Sequence, residues 1–126
     1  MLGAEFWLAG AWLIVAKENP RWRAAPRPDW PRSPLSAGAS SGFLIVYVDD
    51  VDDVFARALA AGATSLAQEQ GPEETYWGDK VVRIIDPFGH GWVLQSRFED
   101  VAEADLAARF AAQRDRLPAG RAAQQG

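Results

Sequence analysis

The chain has 126 residues, of which 48% are hydrophobic, with six tryptophans, six phenylalanines and a formal net charge of −4. This composition predicts a single packed domain and argues against a disordered chain, and the acidic balance opposes binding to nucleic acid or to an anionic membrane. The absence of cysteine excludes disulfides, thiolate metal sites and thiol nucleophiles and fits a cytoplasmic protein, and the apolar run Phe6–Ala16 is too short to span a bilayer.

The N-terminal segment predicts a β-hairpin. Two short apolar runs, Glu5–Ala9 and Trp12–Lys17, lie on either side of Gly10. A buried helix would also suit their alanine and leucine residues, but the central glycine and the aromatic and β-branched content favour two strands joined by a turn.

A linker is predicted over Asn19–Gly42, where five prolines precede a serine- and glycine-rich run. The proline-rich part should be extended and the second part flexible. The linker also carries four arginines beside Trp22 and Trp30. Three interpretations remain open: a solvated connector whose tryptophans pin it to the domain, a lid over a pocket, and an arm that binds nucleic acid, which the acidic remainder disfavours.

A strand and a helix are predicted next. Phe43–Val48 is a continuous apolar run, typical of a strand that is buried on both faces. Asp50 fits a helix N-cap, and the helix that follows has an apolar stripe. The stripe consists of Val51, Val54, Phe55, Ala58 and Leu59. Gly62 should end this helix, before a short strand at Ala63–Ala67 and an acidic loop at Gln68–Thr75.

The stretch Trp77–Leu94 is the most informative part of the sequence and predicts a second hairpin. The β-branched residues of Val81–Ile85 favour a strand. A tight turn should follow, because Pro87 fixes φ, the Asp86 carboxylate can accept from the next N–H groups, and Gly89 tolerates positive φ. A last helix is predicted over Glu99–Leu117, with the apolar side chains of Leu106, Phe110 and Leu117 on one face, and Pro118-Ala119-Gly120 should end it.

The order of elements from Phe43 onward is β-α-β-β-β. That order, with the residues VYVDDVDDVFARALAAGA (Val46–Ala63) and WGDKVVRIIDPFGHGWVL (Trp77–Leu94), resembles the vicinal oxygen chelate superfamily, and in particular its glyoxalase/bleomycin-resistance-like members of the PhnB-like type. The resemblance implies an α+β fold. Residues 1–18 would be a hairpin from a partial first module, residues 19–42 a linker, residues 43–100 a complete second module, and residues 101–117 a C-terminal helix.

The first strand, helix and second strand of the first module are not found in the sequence. Two explanations stay open: the assigned start lies too far downstream, or the chain is natively short. Many members of the superfamily hold a divalent metal with His and Glu from both modules. The resemblance places the second-module His at Ile45 and the glutamate at Val93, and both residues are apolar.

His90 is the only histidine in the chain, so a site with two histidines and a carboxylate cannot form within one subunit. A carboxylate-only site for a hard cation stays open, but no spacing suggests one. We expect no metal and no cofactor. We interpret His90 as a turn residue, because histidine tolerates positive φ better than most residues, and we expect no catalytic residue.

Strand alternation predicts the residues that line a pocket. If Ile45 and Val93 mark the pocket face, Phe43 and Tyr47 share it on one strand and Gln95 on the other. Trp77 should stand at the rim, whereas Trp92 and Leu94 should face the helix. The expected ligand-binding residues are Phe43, Ile45, Tyr47, Trp77, Val93 and Gln95. The alternative is that these residues fill a core.

The favoured function is a metal-free protein that binds a hydrophobic or aromatic small molecule. The alternatives are a lyase- or isomerase-like enzyme with an unusual metal site, and a truncated relative or interaction module that binds no ligand. A homodimer is also expected, because an isolated hairpin leaves apolar residues bare on both faces.

Overall fold

The structure is a computed structural model that describes residues 3–66 and 70–116. Its strands are β1 (Gly3–Leu8), β2 (Ala11–Ala16), β3 (Phe43–Tyr47), β4 (Thr64–Ser65), β5 (Glu73–Glu74), β6 (Asp79–Ile85) and β7 (Gly91–Arg97). Its α-helices are α1 (Pro34–Ala37), α2 (Val51–Ala60) and α3 (Glu103–Arg116). The predicted α+β fold with a C-terminal helix is therefore confirmed.

A five-stranded sheet forms the body of the protein. Its strand order is β3-β7-β6-β4, and β5 also pairs with β6. β3 runs parallel to β7, whereas the other pairs are antiparallel. β1 and β2 form a separate two-stranded hairpin, as the sequence predicted, although its bounds differ from the predicted ones by one or two residues.

The core lies between α2 and one face of this sheet. Its buried apolar residues are Val51, Phe55, Ala63, Val82, Ile84 and Leu94. Asp50 is the N-cap of α2, and its carboxylate accepts a hydrogen bond from the Asp53 backbone N–H at 3.1 Å. Leu59, predicted on the apolar stripe, is exposed. At about 100° per residue it lies roughly 80° from Val51, at the margin of the stripe, where the sheet no longer covers it.

The turn between β6 and β7 is confirmed. The Asp86 carboxylate accepts from the backbone N–H groups of Phe88 and His90 at 2.9 and 3.0 Å, and Gly89 has a φ of 87°. The expectation of positive φ at His90 was wrong. Gly89 already supplies the left-handed step of this turn, so His90 does not need a positive φ. Among the non-glycine residues that the structure describes, positive φ occurs at Ala9 alone.

The expectation that Phe43–Val48 is buried on both faces was wrong. The strand ends at Tyr47, and the side chains of Phe43, Leu44, Ile45 and Tyr47 are exposed, with Ile45 at 63%. Among the described strands β3 pairs with β7 alone, so it forms an edge of the sheet. An apolar run alone does not distinguish a central strand from an edge strand whose faces are partly open.

The linker is more ordered than its composition predicted. A 3₁₀ turn spans Pro20–Arg23, and α1 begins at the last proline of the part expected to be extended and continues into the part expected to be flexible. The Glu18 carboxylate accepts from the backbone N–H of Ser33 at 2.9 Å and from the hydroxyl of Ser36 at 2.5 Å, which ties the end of β2 to the start of α1. Trp22 contacts the guanidinium of Arg32, 3.6 Å from its ring centroid. The Trp22 ring thus contacts two arginines of its own segment, Arg23 and Arg32.

Two further boundaries differ from the predicted ones. The acidic loop contains β5, whereas Ala67 and residues 68–69 lie outside the described residues. α3 begins at Glu103, because the backbone N–H groups of Phe98 and Glu99 donate to the Gly78 carbonyl and keep this segment extended. Leu117 and the predicted stop at residues 118–120 lie outside the described residues. In the described part of the chain, no helix has the length and apolarity needed to cross a membrane.

Candidate ligand-binding site on the open face of the sheet

The sheet face opposite α2, here called the open face, collects the predicted ligand-binding residues of β3 and β7. In the parallel register Phe43 lies beside Gly91, Ile45 beside Val93, and Tyr47 beside Gln95. Trp92 and Leu94 belong to the core on the α2 side, as predicted. Because side chains alternate along a strand, Val81 and Arg83 of β6 share the open face with Val93 and Gln95.

A cavity of about 550 Å³ opens on this face. It is lined by Glu73, Glu74, Thr75, Tyr76, Trp77, Val81, Arg83, Val93, Gln95, Phe110 and Gln113. Three of the six predicted residues, Trp77, Val93 and Gln95, therefore lie in its wall. Phe43, Ile45 and Tyr47 share the open face but lie beyond this wall, on the edge strand.

The carboxylate of Asp79, which is fully buried, lies at one end of the open face. Its Oδ2 atom accepts hydrogen bonds from the Tyr47 hydroxyl at 2.9 Å and from Trp77 Nε1 at 3.0 Å. Its Oδ1 atom accepts from Arg97 Nε at 2.5 Å. Two predicted ligand-binding residues, Tyr47 and Trp77, are thus held by one carboxylate, and the Tyr47 hydroxyl is already engaged in the structure.

The charge of Asp79 is stabilised by its partners. Burial by itself raises the pKa of this carboxyl, but hydrogen bonds from Arg97, Tyr47 and Trp77 together outweigh burial and hold the pKa below its usual value of 3.8. The pKa of Arg97 is raised in turn, mainly by Asp79. The sequence analysis did not identify Asp79, although its place at the start of a predicted strand, two residues before Val81, was a usable signal.

Helix α3 supplies part of the cavity wall that the sequence analysis missed. Phe110 packs edge-on against Tyr76, with ring centroids 5.2 Å apart. The Arg109 guanidinium pairs with both carboxylate oxygens of Glu99, and Arg109 holds the pKa of Glu99 below its usual value. These contacts place Gln113, one turn further along the helix, at the cavity.

The residues at the positions implied for metal ligands are neighbours in space. Ile45 and Val93 are directly paired across β3 and β7. Metal ligands at these two positions would therefore lie side by side, but both side chains are aliphatic. Within residues 3–66 and 70–116, no group of three His, Cys, Asp or Glu side chains is arranged to hold a metal ion. His90 is exposed and lies in the turn after β6, outside the cavity.

A second cavity, of about 430 Å³, lies between the N-terminal hairpin and the α2 side of β3. It is mainly apolar, and its wall includes Phe6, Ile14, Leu44, Phe88 and Trp92. It contains none of the six predicted ligand-binding residues. The hairpin therefore lies over the sheet face opposite the candidate site.

A family model described as "Glyoxalase/Bleomycin resistance protein/Dioxygenase superfamily" matches residues 4–94 of the chain. The chain belongs to this superfamily. The match includes the N-terminal hairpin, the linker and the sheet, and it ends at Leu94, before α3. The match establishes membership of the superfamily and its fold, but it does not identify a ligand.

Curated relatives are found in mycobacteria. An uncharacterized protein of Mycobacterium bovis is 36% identical over 83 residues, which are 66% of this chain and 53% of the relative. An uncharacterized protein of Mycobacterium tuberculosis is likewise 36% identical over 83 residues, which are 66% of this chain and 47% of the relative. The chain thus spans about half the length of the curated relatives it matches.

Solved structures show the same fold. A glyoxalase/bleomycin resistance protein/dioxygenase from Nocardioides superposes with a TM-score of 0.52 at 18% identity, covering 81% of this chain and 66% of the other. A chain described as a conserved domain protein gives a TM-score of 0.54 at 20% identity, covering 75% and 70%. TioX from a Micromonospora species gives a TM-score of 0.50 at 24% identity, covering 77% and 69%.

Proposed function

We propose that this member of the superfamily binds a hydrophobic or aromatic small molecule on the open face of its sheet without a metal ion. The observation that supports this proposal is the cavity of about 550 Å³, a size suited to a small organic ligand. Its wall combines the aromatic rings of Trp77, Tyr76 and Phe110 with six charged or polar side chains, so a flat ligand could stack on the rings and bond to polar groups around them. Phe43, Ile45 and Tyr47 would extend the contact surface along β3.

Trp77 gives a direct test of this proposal. We expect Trp77→Leu to weaken binding of flat aromatic compounds about fivefold to tenfold, because a stacking partner is lost from the cavity. The matched control is Trp12→Leu, since Trp12 is 67% exposed on the hairpin and does not line the cavity. Ligand-observed NMR with a panel of aromatic fragments measures both variants. Equal weakening in the two variants would place the binding elsewhere.

Metal independence is a second expected result. Calorimetric titration with zinc, nickel and manganese should show no stoichiometric site, because Ile45 and Val93 supply no ligand atoms at the positions implied by the family. Elemental analysis of the purified protein gives the same information for a metal retained during purification. A dissociation constant tighter than about 1 µM, roughly −8 kcal/mol, for any of these ions would contradict the metal-free proposal.

We also propose that two copies of the chain associate through the N-terminal hairpin. β1 and β2 pair only with each other among the described strands, and Trp7, Trp12 and Ile14 are exposed. Such a ribbon is marginal by itself, and its open edges recruit further strands. α3 does not cover the hairpin, because Phe110 of this helix packs against Tyr76.

Light scattering after gel filtration tests this association. A dimer is expected at micromolar concentration, with about twice the 13.8 kDa mass of one chain. The double variant Trp12→Ser, Ile14→Ser should shift the mass toward one chain, because two exposed apolar contacts are lost from the hairpin. A single-chain mass for the unaltered protein with cooperative unfolding would contradict the dimer.

Three finer assignments belong to the same proposal. The PhnB-like type rests on the stretch Trp77–Leu94. The assignment of β1 and β2 as the last strands of a first module rests on their hairpin pairing and on the family match that begins at residue 4. A cytoplasmic location rests on the cysteine-free composition.

A further inference from the structure

We infer that the ligand of the open-face cavity is a flat aromatic cation, held by the Glu73 carboxylate and by the aromatic rings of the cavity wall. This inference rests on the proposed small-molecule function and specifies the chemistry of its ligand. It depends on which charged side chains around the cavity already have partners and which do not.

Glu73 is the carboxylate available to a ligand. In β5 it pairs with Val81, an open-face residue, and within the described residues its carboxylate forms no ion pair and accepts no hydrogen bond. In the antiparallel register of β5 and β6, the adjacent Glu74 lies opposite Lys80. The Lys80 ammonium bonds to Asp52 at 2.6 Å, and its pKa is raised by Asp52 and, to a smaller extent, by Glu74. Glu74 thus lies opposite Lys80 in the sheet, whereas among the described residues no cation lies opposite Glu73, whose register partner is Val81.

Three arginine side chains near the cavity, Arg83, Arg97 and Arg109, are engaged in the folded protein. Arg97 bonds to Asp79 and Asp100, and Arg109 bonds to Glu99. Arg83, which lines the cavity, also takes part in an interaction of its own. An anionic ligand would have to compete with these contacts, whereas a cationic ligand meets Glu73, whose carboxylate has no partner among the described residues. The balance of available charge therefore favours a positive ligand.

The aromatic wall favours the same ligand class. The Trp77 Nε1–H donates to Asp79, which fixes the orientation of the indole, and Tyr76 packs edge-on against Trp77 with ring centroids 4.9 Å apart. The face of an aromatic ring attracts a cation because of its quadrupole, and it also stacks on a flat ligand. A charged planar ring system uses both interactions at once.

Two amide side chains can orient such a ligand. Gln95 and Gln113 line the cavity, and their amide groups make no side-chain hydrogen bond in the described part of the chain. Their carbonyl oxygens can accept from ring amino groups of the ligand. Amino groups on a cationic ring are strong donors, so these contacts are selective for the charged form.

The test compares three tricyclic probes at neutral pH: proflavine, a cation; acridine, which is uncharged; and 9-anthracenecarboxylate, an anion. Fluorescence titration should show proflavine bound about tenfold more tightly than acridine, and 9-anthracenecarboxylate bound most weakly. Glu73→Gln should weaken proflavine about fivefold and leave acridine unchanged. Glu103→Gln is the matched control, because Glu103 is an exposed glutamate outside the cavity wall, and it should change neither probe. Both glutamates are exposed, so each variant should fold normally.

The possible outcomes separate this inference from the proposed function. Equal binding of proflavine and acridine overturns the cation assignment but leaves a cavity that binds aromatic compounds. Equal weakening of proflavine by Glu73→Gln and Glu103→Gln overturns the role of Glu73. If none of the probes binds in a manner that depends on Trp77, both the inference and the proposed binding function are overturned.

Discussion

Asp79→Ala is expected to lower the free energy of unfolding by about 2–4 kcal/mol. The substitution removes the buried carboxylate that accepts from Arg97, Tyr47 and Trp77 and leaves these three donors without their partner. Arg97 is half-exposed and regains water, which keeps the loss below that for a wholly buried ion pair. Urea denaturation followed by circular dichroism measures this loss.

Asp100→Ala is the matched control for this prediction. Asp100 bonds to the same Arg97 at 3.2 Å, but its side chain is 94% exposed, so its removal should cost about 0.5 kcal/mol or less. The comparison separates the burial of Asp79 from the loss of an arginine contact. Similar losses in the two variants would show that the buried network adds little stability.

The pH dependence of stability tests independently whether Asp79 is charged in the folded protein. Its pKa is lower in the folded protein than in the unfolded chain, so it contributes stability above the unfolded value of about 3.9, and that stability is lost as the pH falls through the folded value. The variant Asp79→Asn should therefore lose less stability on acidification from about pH 5 than the unaltered protein does. Identical pH profiles would contradict a charged Asp79.

Gly78→Ala is expected to destabilise the fold by roughly 2–5 kcal/mol or to prevent folding. A Cβ atom at Gly78 would lie 2.1 Å from the Glu99 carbonyl oxygen, a backbone atom in the segment that is held by the hydrogen bonds from Phe98 and Glu99 N–H to the Gly78 carbonyl. The φ of 92° at Gly78 adds the ordinary cost of a left-handed residue.

Gly10→Ala isolates the steric part of this effect. Gly10 has a similar φ of 84°, but a Cβ atom there would meet nothing within 4 Å. Gly10→Ala should lower the free energy of unfolding by about 1–2 kcal/mol, which is the conformational cost alone. Chemical denaturation of both variants gives the difference. If Gly78→Ala costs no more than Gly10→Ala, the close approach to Glu99 does not exist in solution.

The sequence specified the features that depend on local chemistry. Asp50 caps α2, and Asp86 with Gly89 closes the turn between β6 and β7, because each of these interactions joins residues only a few positions apart. Strand alternation also put Phe43 and Tyr47 on the same face as Ile45, and Gln95 on the same face as Val93, in agreement with the register of β3 and β7. Such features follow from short-range patterns and need no knowledge of the tertiary fold.

Features that depend on distant neighbours were not predicted. The exposure of Ile45 follows from the edge position of β3, which is set by pairing with a strand nearly fifty residues later. Phe110 and Gln113 reach the cavity because α3 packs against Tyr76, and one apolar stripe does not specify which surface it meets. Glu73 was predicted to lie in a loop, because no alternation of apolar and polar residues around it indicated a strand, so its place on the open face was not predicted.

The pairing of β3 with β7 has a consequence for synthesis of the protein. Phe43 precedes its partner Gly91 by 91 − 43 = 48 residues. At about 5–20 residues per second, β3 leaves the ribosome roughly 2–10 s before β7 does. The N-terminal hairpin, by contrast, can close locally within about 10 µs. An apolar strand without its partner is open to aggregation throughout that interval. The yield of folded protein in a cell should therefore depend on chaperones that shield β3 while translation continues.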